Sequence, residues 1–351
     1  MNNVEQPQPT FDNQATIQAT QQLLSELNLQ IAKEDKDISD FVNGDLSITA
    51  PCTLGETSEI VLLKIPLPKG RQAFQREINK TVTLKKHDSD VSFCYRDIRD
   101  YRFFDDPSKL GYYIGDYLQA EQLGIPGQGK FQVEDVTQIH CDALMEEVAR
   151  WQEFPVSHLS PQERANMKPM FANSTEWKQT LEAKSRTGLR DYLVNNRHDL
   201  QERFLVVLND PNLVDQIDQY AGQGLLVHGD LKLPNVFFDD DGKPTFFDVE
   251  DMRVIDNQML GIGYDFGRLY TFHYDSPNLQ QKILSAWEKQ YQGNDKAMQA
   301  ARLGVLYWTV HNLAWYTTHD EFANQVEPFM KMFEQSLKGF DSLKPQIDGR
   351  S

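Results

Sequence analysis

The chain has 351 residues, 40% of them hydrophobic and 25% charged, a length that favours two lobes or domains over a single core. Its formal net charge of −17 argues against a general nucleic-acid binder, because phosphates are repelled unless a basic patch is segregated. The same charge is compatible with a cationic substrate. Cys52, Cys94 and Cys141 are far apart and form no CxxC, which suits a reducing compartment better than a disulfide framework or a zinc site. No basic residue precedes Lys33 and no apolar run reaches the length of a membrane span, so neither a signal peptide nor a membrane partner is expected, and the cytoplasm is the expected location.

Residues 1–14 are rich in Asn, Gln and Pro and read as a disordered tail. Residues 15–118 read as a β-rich first lobe. From Ala15 to about Lys33, apolar residues recur at helical spacing (Ile17, Leu23, Leu24, Leu27, Ile31). Strand-like pieces follow at Leu46–Ala50 and Glu59–Ile65, then a helix from near Arg71 that carries Glu77, then strand-like pieces at Val91–Tyr95, Tyr101–Phe104 and Gly111–Leu118. Residues 119–345 read as a larger, mainly helical lobe. CDALMEEVARWQEF, STEWKQTLEAKSRTGLRDYLVNN and PNLVDQIDQYAGQ each read as a helix, strands return at Leu225–Val227, Val236–Phe238 and Pro244–Phe247, and the remainder to about Leu343 reads as helical. Strands first and helices afterwards make an α+β chain with segregated lobes.

The chemistry concentrates in LLVHGDLKLPNVFFDDDGKPTFFDVED, residues 225–251. Two apolar runs flank the turn Asp239–Lys243, the pattern of a β-hairpin. Such a hairpin brings Asn235 and Asp248 to one end, with Asp230 in the loop beside them. Phosphoryl transfer needs a group to orient or deprotonate an acceptor hydroxyl, hard oxygen ligands for Mg²⁺ and positive charge on the transferring phosphate. Asp230 has the chemistry of the base, Asn235 and Asp248 that of the metal ligands, and Lys232 can reach a γ-phosphate.

The string His228-Gly229-Asp230-Leu231-Lys232-Leu233-Pro234-Asn235 resembles the catalytic loop of the kinase superfamily, in the HGDxxxxN form of aminoglycoside phosphotransferases, choline kinases and their relatives. Asp248-Val249-Glu250 resembles the strand-end Asp-x-Glu of the same small-molecule kinases, and Gly263-Tyr264-Asp265-Phe266-Gly267-Arg268-Leu269 their later Gly-Asp-x-x-x-Asp-Leu stretch without its first Asp. The resemblance implies a two-lobed protein-kinase-like fold, use of ATP and Mg²⁺, and a small-molecule acceptor such as an amino sugar, a choline-like amine, an amino alcohol or a sugar. It makes Asp265 a structural brace of the catalytic loop. Asp265-Phe266-Gly267 spells the metal-binding motif of protein kinases, but it lies well beyond the single hairpin that ends at Asp248, so the metal is assigned to Asp248.

In the first lobe the resemblance calls for a strand lysine paired with a helical glutamate, and Lys64 and Glu77 fill those places. Tyr112–Leu118 has the look of the hinge strand, with adenine on main-chain groups near Asp116 and Leu118. No GxGxxG precedes Lys64, and the phosphate-covering turn is assigned to Gly55, Thr57 and Ser58.

Other signals read more plainly. His228 reads as structural. Asp239–Gly242 is a hairpin turn rather than a calcium loop, because Phe237 would occupy the first ligand position. Gly124–Phe131 nearly matches a P-loop, but Phe131 stands where a hydroxyl must meet Mg²⁺, so it reads as a surface loop. Trp308 and Trp315, seven apart, are expected on one face of a helix at Ala301–Thr318, in the core or beside the acceptor. A protein kinase is the lesser alternative, since no A-P-E occurs. A catalytically silent nucleotide-binding regulator is another, and it is disfavoured because Lys64, Glu77, Asp230, Asn235 and Asp248 are all present.

Overall fold

The computed structural model describes residues 13–32, 36, 38–43, 47–55, 57, 59–87, 95, 97–104, 111–117 and 135–344. Gly124–Phe131, Cys94, Ser58, Leu118, the tail at 1–12 and most of Val91–Tyr95 lie outside the described residues. The chain divides into two compact units. One is drawn from Met1–Lys85 and Arg96–Gln119, the other from Lys86–Tyr95 and Ala120–Ser351.

The first unit is built on an antiparallel sheet in the order β1-β3-β4-β6-β5, with the short β2 (Val42–Asn43) also on β3. Its members are β1 (Leu29–Ile31), β3 (Ser47–Leu54), β4 (Ile60–Pro66), β5 (Ile98–Arg102) and β6 (Tyr112–Asp116). Strand alternation sorts β4 cleanly. Val61, Leu63 and Ile65 join a core with Ile48, Ala50 and Cys52, while Lys64, one step out of phase, falls on the opposite face. That face is covered by α2 (Arg71–Lys86), whose Phe74 and Ile78 pack with Ile98 and Tyr113. Burial pushes the Cys52 thiol up to about 12, so it behaves as a small apolar side chain. The helix α1 (Asn13–Glu26) stops short of the expected Lys33. Asn28 turns left-handed at φ 52°, and Leu29–Ile31 pair with Cys52–Leu54, so sheet hydrogen bonds override the helical spacing.

The second unit contains α3 (Gln138–Gln152), α4 (Pro161–Asn166), α5 (Ser174–Ser185), α6 (Leu189–Asn196), α7 (His198–Leu208) and α8 (Pro211–Asp218). There follow β7 (Ala221–Val227), β8 (Val236–Phe238), β9 (Pro244–Phe246) and β10 (Arg253–Asn257), and then α9 (Gln258–Phe272), α10 (Pro277–Gln290), α11 (Asp295–Tyr316) and α12 (Ala323–Lys338). Three sequence readings are corrected. The stretch 174–196 is two helices, because the chain turns at Gly188 with φ 104°, a conformation that an L side chain resists. Ala221–Gln223, read as the end of a helix, belongs to β7 instead. Arg253–Asn257, read as helical, is a strand paired with β7, as its β-branched Val254 and Ile255 allow.

The expected aromatic face of α11 is interrupted as well. Trp308 is 6% exposed, whereas Trp315, two turns on, is 54% exposed and stacks on His319 at 3.8 Å. Helical phase put them together, but the packed neighbours end before Trp315. Among the described residues no helix is long and apolar enough to cross a membrane.

The helices α9 and α11 meet through glycine. A Cβ on Gly263 would lie 1.8 Å from the Ala300 carbonyl oxygen, and one on Gly304 would lie 1.9 Å from the Gly263 oxygen. The backbones therefore touch, and a methyl group must drive the helices apart. Gly263→Ala is expected to cost about 1–3 kcal/mol or more through overpacking, read as a lowered thermal unfolding midpoint.

Candidate active site

The strand β7 delivers the loop 228–235 at its C-terminal end. Gly229 adopts φ +88°, and a Cβ there would lie 2.0 Å from the Asp251 carbonyl oxygen, so the turn requires glycine. The loop is held from below by Asp265 on α9. His228 N donates to Asp265 Oδ2 at 2.7 Å and Gly229 N to Oδ1 at 2.9 Å. Asp265 is 3% exposed. Burial raises its pKa, against the opposing pull of His228 and the two backbone donors. His228 is fully buried and ties the loop across the hairpin. Asp230 N donates to its Nδ1 at 3.4 Å, and its Nε2 lies 3.0 Å from the Phe247 carbonyl oxygen. That pattern assigns the proton to Nε2.

The hairpin of β8 and β9 then brings its two ends together. Phe247 N donates to the Asn235 carbonyl oxygen at 3.1 Å, which sets Asn235 beside the residue before Asp248. Asp248 itself is left-handed, at φ 60° and ψ 48°, an uncommon conformation for a residue other than glycine and one found at functional sites. Asn235 is 4% exposed. Its Nδ2 donates to Asp230 O at 2.9 Å and to Asp230 Oδ2 at 3.3 Å, which leaves the harder amide oxygen as its remaining ligand atom.

Asp230 is gripped on both carboxylate oxygens. Lys232 Nζ lies 2.8 Å from Oδ2 and Arg268 Nε lies 2.7 Å from Oδ1. Burial pushes the Asp230 pKa up, but Arg268 and Lys232 outweigh it and hold the carboxyl below its ordinary value. Asp230 is thus an ionised acceptor at neutral pH. Arg268 was not singled out in the sequence. Its signal was its place on α9, three residues after Asp265 and so on a neighbouring face of the helix. Lys232, assigned to a phosphate, rests here on Asp230 with its ammonium 5.7 Å from the Phe272 ring centroid.

In the first unit, Lys64 Nζ lies 2.6 Å from Glu77 Oε2. Glu77 Oε1 accepts from Tyr113 Oη at 2.9 Å, and Phe74 stacks on Tyr113 at 5.6 Å. Register explains the trio, because Lys64 is directly opposite Tyr113 on the neighbouring strand. Gly55 sits at the turn between β3 and β4 with φ +59° and donates its N–H to Asn28 O at 2.8 Å. Thr57 Oγ1 closes that turn on Leu54 O at 2.6 Å. Asp116 is committed locally: its carboxylate takes Arg99 Nε at 2.5 Å and its N–H donates to Asp97 O at 3.1 Å.

Among the described residues no group of three or more His, Cys, Asp or Glu forms a preformed metal cage. The oxygen pair offered by Asn235 and Asp248 suits Mg²⁺ all the same, since this ion is usually held by one or two protein oxygens together with substrate phosphates and water.

A β-rich unit with a Lys–Glu pair, and a helical unit with a braced HGDxxxxN loop and a strand-end aspartate, define the class: a kinase-like phosphotransferase. The model of the phosphotransferase enzyme family, APH, matches residues 61–301, more than half of the chain, and the chain belongs to that family. It is a small-molecule kinase of α+β, protein-kinase-like fold. A search of curated proteins finds no match. Solved structures of similar fold include the GDP complex of wild-type aminoglycoside 2'-phosphotransferase-IIIa, at 12% identity and a TM-score of 0.57, covering 92% of this chain and 98% of that one. The GDP and kanamycin complex of APH(2")-IIIa aligns at 13% identity with a TM-score of 0.56, over 91% and 98% of the two chains. An aminoglycoside phosphotransferase from Alicyclobacillus acidocaldarius aligns at 12% identity with a TM-score of 0.52, over 87% and 91%.

The brace under the loop has a measurable consequence. Asp265→Ala leaves two buried backbone N–H groups without an acceptor, each worth about 1–3 kcal/mol. Denaturant unfolding of the variant is expected to show a correspondingly lowered midpoint.

Proposed function

We propose that this kinase transfers the γ-phosphoryl group of ATP, with Mg²⁺, to a hydroxyl of a small-molecule acceptor. The observation that supports this reading most is the joint placement of Asp230, Asn235 and Asp248 in one hydrogen-bonded frame, with Asp230 kept ionised by Arg268 and Lys232.

The acceptor hydroxyl is oriented by Asp230, and its oxygen attacks the γ-phosphorus. The bond from that phosphorus to the bridging oxygen breaks, ADP departs and the hydroxyl proton passes to the Asp230 carboxylate. Asn235 and Asp248 are the residues that would hold Mg²⁺, which when bound neutralises phosphate charge. Lys232 lends positive charge to the transferring group. Lys64, fixed by Glu77 and Tyr113, holds the ATP phosphates, and the turn with Gly55, Thr57 and Ser58 covers them. Main-chain groups near Asp116 and Leu118 receive the adenine. The amino sugars, choline-like amines, amino alcohols and sugars named by the sequence resemblance are the acceptor classes from which to start, and the cytoplasm is the compartment.

The test is ATP-dependent phosphate transfer to a panel of such acceptors, with and without Mg²⁺. Asp230→Asn is expected to lower the turnover of any accepted substrate by about 10²–10⁴-fold, the usual contribution of a general base. Asp248→Ala is expected to abolish the Mg²⁺-dependent reaction. Transfer that persists at the wild-type rate in either variant would contradict the assignment.

A further inference from the structure

The chain as a whole carries a net charge of −17, but one part of the second unit gathers cations. Near Asp230, the buried rings of Tyr264, Tyr307 and Trp308 form one aromatic cluster, with Tyr264 5.4 Å from Tyr307 and 5.3 Å from Trp308. Three cations border it, each from a different element. Arg268 of α9 lies 4.8 Å from the Trp308 centroid, Arg253 of β10 lies 5.8 Å from that of Tyr264, and Lys184 of α5 lies 5.5 Å from that of Tyr307. Arg268 also holds Asp230, as does Lys232, so this cluster adjoins the carboxylate.

Their acidic partners are fewer. Asp230 takes Arg268 and Lys232. Arg253 meets the Asp251 carboxylate at 3.4 Å, a carboxylate that is 45% exposed, and donates to the Asp251 carbonyl oxygen at 3.0 Å and to Met170 Sδ at 2.9 Å. Among the described residues no carboxylate pairs with Lys184. Its ammonium lies 2.6 Å from His311 Nδ1. An ammonium only donates, so this nitrogen is the acceptor and the imidazole is neutral. Desolvation, then Lys184, Arg268 and Arg253, push His311 down to about 4. Burial, and then Arg253, lower the Lys184 pKa as well. A partly buried cation that no carboxylate answers, with a guanidinium close enough to weaken its protonation, is an arrangement completed by an anion.

We propose that the cations over these buried rings receive an anionic group of the acceptor, a carboxylate or a phosphate, held by Lys184 and Arg253 with Arg268 at the inner edge, so that the substrate is an acidic alcohol rather than an amine. The proposal rests on the reading of Asp230 as the residue that orients the acceptor hydroxyl. It departs from the cationic acceptor with which the overall acidity of the chain is compatible, because a site responds to the charges within a Debye length rather than to the sum over the protein.

The test uses probes that share a glucose ring and differ in the charged group it carries: glucose, glucosamine, glucuronate and glucose 6-phosphate. Equilibrium titrations are made on the full chain with the nucleotide site filled by Mg²⁺ and a non-hydrolysable ATP analogue. At least one acidic probe is expected to bind about tenfold or more tightly than glucose and glucosamine, the scale of a charge-assisted contact. The tighter of the two acidic probes distinguishes a carboxylate from a phosphate. Lys184→Gln is expected to erase the preference and Lys184→Arg, which keeps the charge, to retain it. Glucose or glucosamine binding as tightly as both acidic probes, or a preference that survives Lys184→Gln, overturns the proposal. Failure of the phosphotransferase reading would show separately, as ATP turnover equal in wild type and Asp230→Asn, whatever the binding ratios.

Discussion

The Asp265 carboxylate, buried under the 228–235 loop and accepting the backbone N–H groups of His228 and Gly229, is the interaction on which the second unit's candidate site depends. It converts an exposed-looking turn into a fixed platform. With the loop fixed, His228 can bridge to Phe247, Asn235 can bond to Asp230, and the hairpin end that carries Asp248 is set beside Asn235. Each of these contacts uses a group that would otherwise be a buried and unsatisfied donor or acceptor. Asp265 reaches its place because α9 lies against α11 with glycine at the crossing. The closeness of two helices therefore sets the depth of a carboxylate, and that carboxylate sets the geometry of a loop.

The first unit solves a similar problem with fewer parts. A lysine on the α2 face of β4 would be a poorly solvated charge without a partner. Glu77 supplies the counter-charge, Tyr113 holds the second oxygen of Glu77, and Phe74 stacks on the Tyr113 ring. The ammonium is pointed by packing as much as by charge. Both units thus place their reactive groups through buried polar contacts that are nearly fully satisfied, the condition under which such networks specify a single geometry.

Membership of the phosphotransferase enzyme family fixes the reaction class, the likeness to solved structures at identities near 12% shows the fold, and the acceptor is left to local chemistry. Here local and global electrostatics differ in sign. The chain as a whole is acidic, while the buried ring cluster near Asp230 is covered by Lys184, Arg253 and Arg268.

Much of the site was legible in the sequence because its parts are local. Asp230 and Asn235 share one loop, Asp248 is one hairpin away, and Lys64 betrays itself as a charge inside an apolar strand. What the sequence could not settle was long-range. It extended α1 through residues that pair with β3, and it gave a helix to Arg253–Asn257, which pair with β7, because sheet partners distant in the chain decide such segments. It placed Trp315 with Trp308 by helical phase, which carries no record of where packing ends. It passed over Arg268, Lys184 and Arg253, since nothing in their flanking residues says that three cations from three elements will border one set of rings. The sequence by itself determined the reaction class and the candidate side chains for it, whose spacing is set by short loops. Only the tertiary structure decided which charges surround Asp230, because that depends on contacts between segments that the chain keeps far apart.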